Sequence, residues 1–294
     1  MSLDQSVIGV RSEPEERSWT GADTLLYALG VGAGHDDPLT DLSYTSEHGD
    51  DACPEQKVLP TFGVMVTWGA RRGGRRMGDF NPAMLVHAEQ EVVLHRPLTA
   101  EGTVSLTSQV TGMYDKGSGA LVASEAEAVD PATGEAVVTT RSSVFIRGEG
   151  GFGGDPGPRV ASPIPERDPD ELVTMPTWPG QALLYRLSGD RNPLHSDPRF
   201  AARGGFARPI LHGLCTYGVT GRALIGTIAG GDGDAIAGGD GDAMASMAGR
   251  FSSPVLPGET LQVAMWRVDE LTTAFQTRKE DGTVVIDRGL ATWR

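Results

Sequence analysis

The sequence has little of what marks several large functional classes. It holds two cysteines, Cys53 and Cys215, in 294 residues, too few for a disulfide framework or a cysteine-rich zinc site. Positive charge is scarce. Lys and Arg number 25 against 39 Asp and Glu, a net charge of −14, so neither nucleic acid nor an anionic membrane surface is an expected partner. No apolar run is long enough to span a bilayer. The start, Met1-Ser-Leu-Asp-Gln-Ser6, lacks the basic and apolar regions of a signal peptide, and Ala291-Thr-Trp-Arg294 is not a Ser-Lys-Leu type address. A cytoplasmic location is therefore expected. Also missing are a phosphate-binding glycine loop after a strand, a His-Glu-x-x-His pair and a serine nucleophile elbow. Gly30-Val-Gly-Ala-Gly34 mimics a dinucleotide fingerprint, but its spacing is wrong and it follows a helix-like segment. Nothing here calls for a metal or a redox cofactor.

What is present fits one large domain or two of ordinary size, with 39% hydrophobic residues to build a core. Residues 1–18 read as a polar lead-in. Thr24-Leu-Leu-Tyr-Ala-Leu-Gly30 is a short helix candidate, capped by Thr or Asp. Residues 32–56, rich in Gly, Asp and Pro, read as loop. Leu59–Ala70 is long and apolar enough for a buried helix, and Arg71-Arg-Gly-Gly-Arg-Arg76 is a basic turn. Strands are expected at Val92–His95, Thr103–Val110, Leu121–Ala128 and Ala136–Ile146. A Gly- and Pro-rich stretch follows, and it divides the chain into residues 1–150, a linker at 151–171, and residues 172–294.

The second part repeats the plan of the first. Leu183-Leu-Tyr-Arg-Leu187 repeats Leu25-Leu-Tyr-Ala-Leu29, and strand candidates follow at 260–268, 271–278 and 283–293. A helix followed by antiparallel strands, occurring twice, predicts an α+β fold built from a duplicated unit. Residues 228–243 hold Ile-Ala-Gly-Gly-Asp-Gly-Asp-Ala twice in tandem. Without the distal Glu of a calcium loop, this reads as a surface insertion.

The chemistry concentrates in Gly189-Asp190-Arg-Asn192-Pro-Leu-His195. Gly189 and Pro193 bend this segment, so a carboxylate, an amide and an imidazole can turn to one point. Asn192 orients either a water or the loop itself. Downstream, His212-Gly213 opens a helix-like run, and the backbone N–H of Gly213 is a ready anion donor. An acid/base pair facing a helix N-terminus suits water addition next to a carbonyl. The bland alternative is a capped loop with a structural histidine. His212 itself is expected to be structural, its side chain turned away. Aligning the two Leu-Leu-Tyr repeats puts Asp190, Asn192 and His195 opposite Gly32, Gly34 and Asp37. The first copy therefore lacks the set, and its task is to shape the substrate site.

The segments Tyr185–Pro198 and Pro209–Gly218 resemble the signature of the (R)-specific enoyl-CoA hydratases of the MaoC-like hot-dog superfamily. The resemblance runs through Leu25–Ala33, Leu59–Gly63, His87-Ala-Glu-Gln90, Asp115-Lys-Gly-Ser-Gly119, Gly150-Gly-Phe-Gly-Gly154 and Arg250-Phe251 to the two-domain hydratases of multifunctional fatty-acid oxidation enzymes. It implies a tandem hot-dog fold, each half an antiparallel sheet wrapped around a central helix. It also implies hydration of a trans-2-enoyl-CoA of medium or long chain to the (3R)-3-hydroxyacyl product, with the first half making room for the acyl tail. In this resemblance Asp190 and His195 hold the water, and Gly213 bonds the thioester oxygen. Which of the pair is base and which is acid stays open, since coupled groups share their titration. His87, Ala88, Lys116, Arg191, Asn192, Pro193, Leu194, Gly213 and Phe251 line the acyl-CoA site, with Lys116 on a CoA phosphate. Ala88 departs from the family's usual glycine, and its methyl would crowd that backbone approach. CoA is part of the substrate, so no separate cofactor is implied, and a homodimer is expected. Two other functions fit the same residues. One is a dehydratase of acyl-carrier-protein thioesters, with the Arg71–Arg76 run as its docking patch. The other is a non-catalytic acyl-CoA-binding subunit.

Overall fold

The computed structural model describes residues 3–47, 55–70, 77–229 and 240–294. Cys53, the Arg71–Arg76 run and most of the tandem repeat lie outside the described residues. Ten strands form one antiparallel sheet: β1 (Glu15–Trp19), β2 (Leu85–Leu94), β3 (Gly102–Asp115), β4 (Gly119–Val129), β5 (Ala136–Arg147), β6 (Glu171–Pro176), β7 (Met244–Phe251), β8 (Thr260–Asp269), β9 (Thr272–Lys279) and β10 (Val284–Trp293). Their order is β1-β3-β4-β5-β2-β7-β10-β9-β8-β6. Outward from the β2–β7 seam, both halves run through their second, fifth, fourth, third and first strands. The sequence duplication is thus a duplication of topology. The seam pairs Glu89 with Arg250 through to Val93 with Ser246, so the two expected hot-dog sheets are one continuous sheet.

The helices explain why the halves differ. In the second half, α6 (Gly213–Ile228) is mostly apolar or small, with Arg222 its one charged residue, and almost wholly buried, as a helix enclosed by a sheet must be. In the first half, the helix expected over Leu59–Ala70 is not there. Pro60–Phe62 forms a 3-10 turn, and Gly63–Val66 adds a single α turn, α3. β-Branched Thr61, Val64, Val66 and Thr67 weaken helix propagation, and Gly69 leaves the helical region at φ +74°. At Gly63 the chain is pressed onto the sheet, where a Cβ would lie 2.9 Å from Val92 and 3.0 Å from Val138. A helix cut to one turn leaves part of the first-half sheet uncovered.

The repeated Leu-Leu-Tyr segments are α1 (Gly21–Gly30) and α4 (Gln181–Tyr185), which pack together; the short α2 (Leu42–Thr45) and α5 (Pro198–Arg203) follow them in their respective halves. The Asp23 carboxylate caps α1 by accepting the Thr20 N–H at 2.8 Å. At Gly30 the two helices approach closely, since a Cβ there would sit 3.3 Å from the Tyr185 Cα. In the loop after α1, Asp41 makes a buried ion pair with Arg222 of α6 at 2.5 Å, and Arg222 also donates to the Val31 carbonyl at 3.2 Å. The Gly- and Pro-rich stretch after β5 contains no strand or helix before β6. Asp115, the last residue of β3, holds the start of this stretch by accepting N–H groups from Gly151 at 2.8 Å and Gly153 at 2.7 Å.

Candidate active site

Gly189, at φ +135°, turns the chain out of the 3-10 turn Arg186–Ser188 and presents Asp190. The Asp190 Oδ1 accepts the Asn192 N–H at 3.1 Å, and the Asn192 Oδ1 accepts the Leu194 N–H at 3.0 Å. Asn192 therefore caps the 3-10 turn Pro193–His195, which brings His195 back beside Asp190. His195 is buried, with Nδ1 2.9 Å from the Ile210 carbonyl. A carbonyl can only accept, so Nδ1 carries the proton and Nε2 keeps a free lone pair. Burial pulls the His195 pKa below the ordinary histidine value, against the Ile210 bond and the Asp190 charge, which favour protonation. The imidazole is thus neutral and basic at Nε2.

His212, the residue before α6, is completely buried. It does not line the cavity, as a structural residue should not, yet it is not turned away from the pair. Its ring stacks on His195 with centroids 3.7 Å apart and planes 27° apart. Its Nε2 donates to the Asp190 backbone carbonyl at 3.1 Å, while Nδ1 has no partner among the described residues. Burial, helped by the neighbouring His195, holds its pKa down to about 2. Asp190, His195 and His212 each offer a donor atom within 4.8 Å of the other two. A metal ion needs lone pairs that converge. Here one nitrogen of each ring is spent on a backbone carbonyl, so the stacked pair clamps the loop.

Because His212 is neutral when folded and titrates near 6.5 when unfolded, it binds fewer protons in the native state. Its contribution is then fully present above about pH 6.5 and falls on acidification, by up to about 1.4 kcal/mol per pH unit. His212→Phe should flatten this acid limb. Denaturant midpoints measured across mildly acidic to neutral pH will test it: equal slopes for both proteins would contradict a buried neutral His212.

A cavity of about 860 Å³ opens at this pair. Asp190, Asn192, Leu194, His195, Gly213, His87 and Phe251 all line it, so seven of the residues singled out in the sequence converge. Gly213 begins α6, where the first N–H groups have no intrahelical acceptor. His87 packs on Phe251 with centroids 4.8 Å apart. Four others are not brought in. Ala88 falls where the β2–β5 register shifts, between His87 and Glu89, and is absent from the cavity wall. Arg191 and Pro193 are exposed and also off the wall. Lys116 donates to the Pro156 carbonyl and lies outside the cavity, because the linker folds over its hairpin. Arg147, which no motif marked, is the cation on the wall among the described residues. It sits at the end of an alternating strand, where nothing in the sequence separates it from a solvated charge.

Residues 18–148 match the family described as the MFE-2 hydratase 2 N-terminal domain, and residues 160–289 match the MaoC like domain. The chain is similar to the 3-hydroxyacyl-thioester dehydratase Y of Mycobacterium tuberculosis, at 46% identity over 98% of each chain. The chain belongs to this family. The enoyl-CoA hydratase ChsH3 of the same organism is 43% identical over 91% of this chain and 90% of its own. A MaoC-like dehydratase from Phytophthora capsici superposes with a TM-score of 0.84 at 34% identity, covering 98% of this chain and 96% of that one. Within this MaoC-like chain Asp190 and His195 come from the second matched segment, while β2–β5 of the first supply much of the cavity wall. Among the described residues no helix is long and apolar enough to cross a membrane.

Proposed function

We propose that this MaoC-like protein is a hydro-lyase that reversibly hydrates trans-2-enoyl-CoA thioesters to (3R)-3-hydroxyacyl-CoA, with acyl chains of medium or long length. One observation carries the proposal: a carboxylate, a neutral imidazole with a free nitrogen, and the first N–H of a buried helix line one cavity. Asp190 and His195 hold one water between them. As its oxygen bonds C3, its proton passes to the pair, electrons move toward the thioester oxygen, and C2 takes a proton from the same side. The Gly213 N–H stabilises the negative charge that builds on the thioester oxygen. Asn192 acts on the loop, since its carboxamide oxygen is used as a cap.

The halves divide the work. The second supplies the chemistry, and the shortened first-half helix makes room for the tail. The proposal includes a homodimer, supported by family resemblance alone. Cation supply favours Arg147 over Lys116 for the charged end of the carrier. Loss of enoyl-thioester absorbance over a series of CoA chain lengths, with the 3-hydroxy product resolved by chirality, tests the reaction. An (S) product, or binding without any absorbance loss, would overturn it. The same series on an acyl-carrier protein decides the carrier.

A further inference from the structure

The sheet face beneath this cavity is not uniformly apolar. Along β3 the inward positions read Leu106, Ser108, Val110, and along β4 they read Val122, Ser124, Ala126, Ala128. On β5 they read Val138, Thr140, Ser142, Val144. The register places Ser124 opposite Ser142 and Ser142 opposite Gln90, so three polar side chains form a row across three strands. One step along, Thr140 faces Ala126, and Ala126 faces Ser108. Thr67, just past α3, closes over Thr140 at 2.7 Å. All six polar residues line the cavity, and five of them are buried. Apolar clusters flank the band on both sides, one around Leu106, Ala128 and Val138, the other around Val110, Val122 and Val144.

Buried strand positions facing a core are ordinarily apolar, and a buried hydroxyl needs a partner. Here partners are incomplete. Ser124 and Ser142 meet at 3.2 Å, and Ser124 also reaches the Ser142 carbonyl at 3.4 Å; Thr67 meets Thr140 and also reaches the Val64 carbonyl at 3.3 Å. Each hydroxyl has one proton and two lone pairs, so with their protons spent on each other and on these carbonyls the two pairs keep acceptor lone pairs to offer. The Ser108 hydroxyl is buried with no partner among the described residues. A plain alkyl tail lying on this band would cover polar groups without satisfying them.

We infer that the acyl chain this site prefers carries a hydrogen-bonding oxygen, a hydroxyl or carbonyl, part-way along its tail, and that Ser108, Ser124, Thr140 and Ser142 read it. This rests on the acyl-thioester reading of the cavity. A matched oxygen gains hydrogen bonds that an alkyl chain cannot, and one such bond corresponds to about tenfold in affinity or kcat/KM.

The test uses trans-2-enoyl-CoA substrates of one length, plain or with a hydroxyl or keto group at successive tail carbons. Binding of the corresponding saturated acyl-CoAs is measured by calorimetry. One tail position should raise kcat/KM about tenfold over the plain chain, and the saturated analogue should bind tighter by a similar factor. Ser108→Ala combined with Ser124→Ala should invert the preference, raising plain-chain activity and lowering that of the oxygenated chain. Plain-chain turnover by this variant also shows that it has folded. A binding preference without any hydration would support the inference while overturning the hydratase reading. Equal or tighter binding of the plain chain, with hydration intact, would overturn the inference alone.

Discussion

Asp190→Asn is expected to lower kcat/KM for enoyl-CoA hydration by about a thousandfold while leaving the fold intact. The replacement is isosteric. Its carboxamide oxygen can still accept the Asn192 N–H, and the bond from His212 goes to the backbone carbonyl, which does not change. What is lost is a group that can take and return a proton, and positioned acid/base groups contribute about 10²- to 10⁴-fold. His195→Gln should follow the same course, since a side-chain amide has no basic nitrogen. Far-ultraviolet circular dichroism and a denaturant midpoint near the parent's will establish folding. A normal rate for folded Asp190→Asn would remove the basis of the assignment.

Gly213→Pro should reduce kcat by about 10²- to 10³-fold, the cost of losing one oxyanion donor. Proline is well suited to the first position of a helix, where its missing N–H had no intrahelical acceptor. The residue before it must be extended, and His212 already is, at φ −61° and ψ 137°. The complication is steric, because a Cβ at this position meets the Phe251 ring at 3.3 Å. Gly213→Ala adds the same carbon but keeps the N–H, so it isolates that contact. The expected order of kcat is parent, then alanine, then proline far below. Equal losses in alanine and proline would mean that the glycine serves packing against Phe251 and that its N–H stabilises no charge.

Much of this architecture follows from local pattern. The two Leu-Leu-Tyr segments became α1 and α4, packed against each other, and the alternating runs became β2 to β5 and β8 to β10. The Gly-Asp-x-Asn-Pro-Leu-His string converges because Gly189 and the capped turn at Pro193 are set by residues within a few positions of each other. Two outcomes lay beyond local pattern. Leu59–Ala70 had enough apolar residues for a helix, but contact with Val92 and Val138 and the break at Gly69 held it to one turn. Lys116 sat in a recognisable hairpin, but the linker from further along the chain captured its ammonium group.

From the chain alone came the duplication, the α+β class, the absence of the Asp-Asn-His set from the first copy, and the grouping of Asp190, Asn192 and His195. Each is a matter of spacing along one segment or of comparing two. Tertiary structure alone decided that His212 stacks on His195, that Arg147 reaches the cavity wall, and that Gln90, Ser108, Ser124 and Ser142 share one face. Those residues lie on separate strands, and inter-strand register determines which side chains meet. In sequence, a serine in an alternating strand looks the same whether its side of the pleat meets solvent or a cavity.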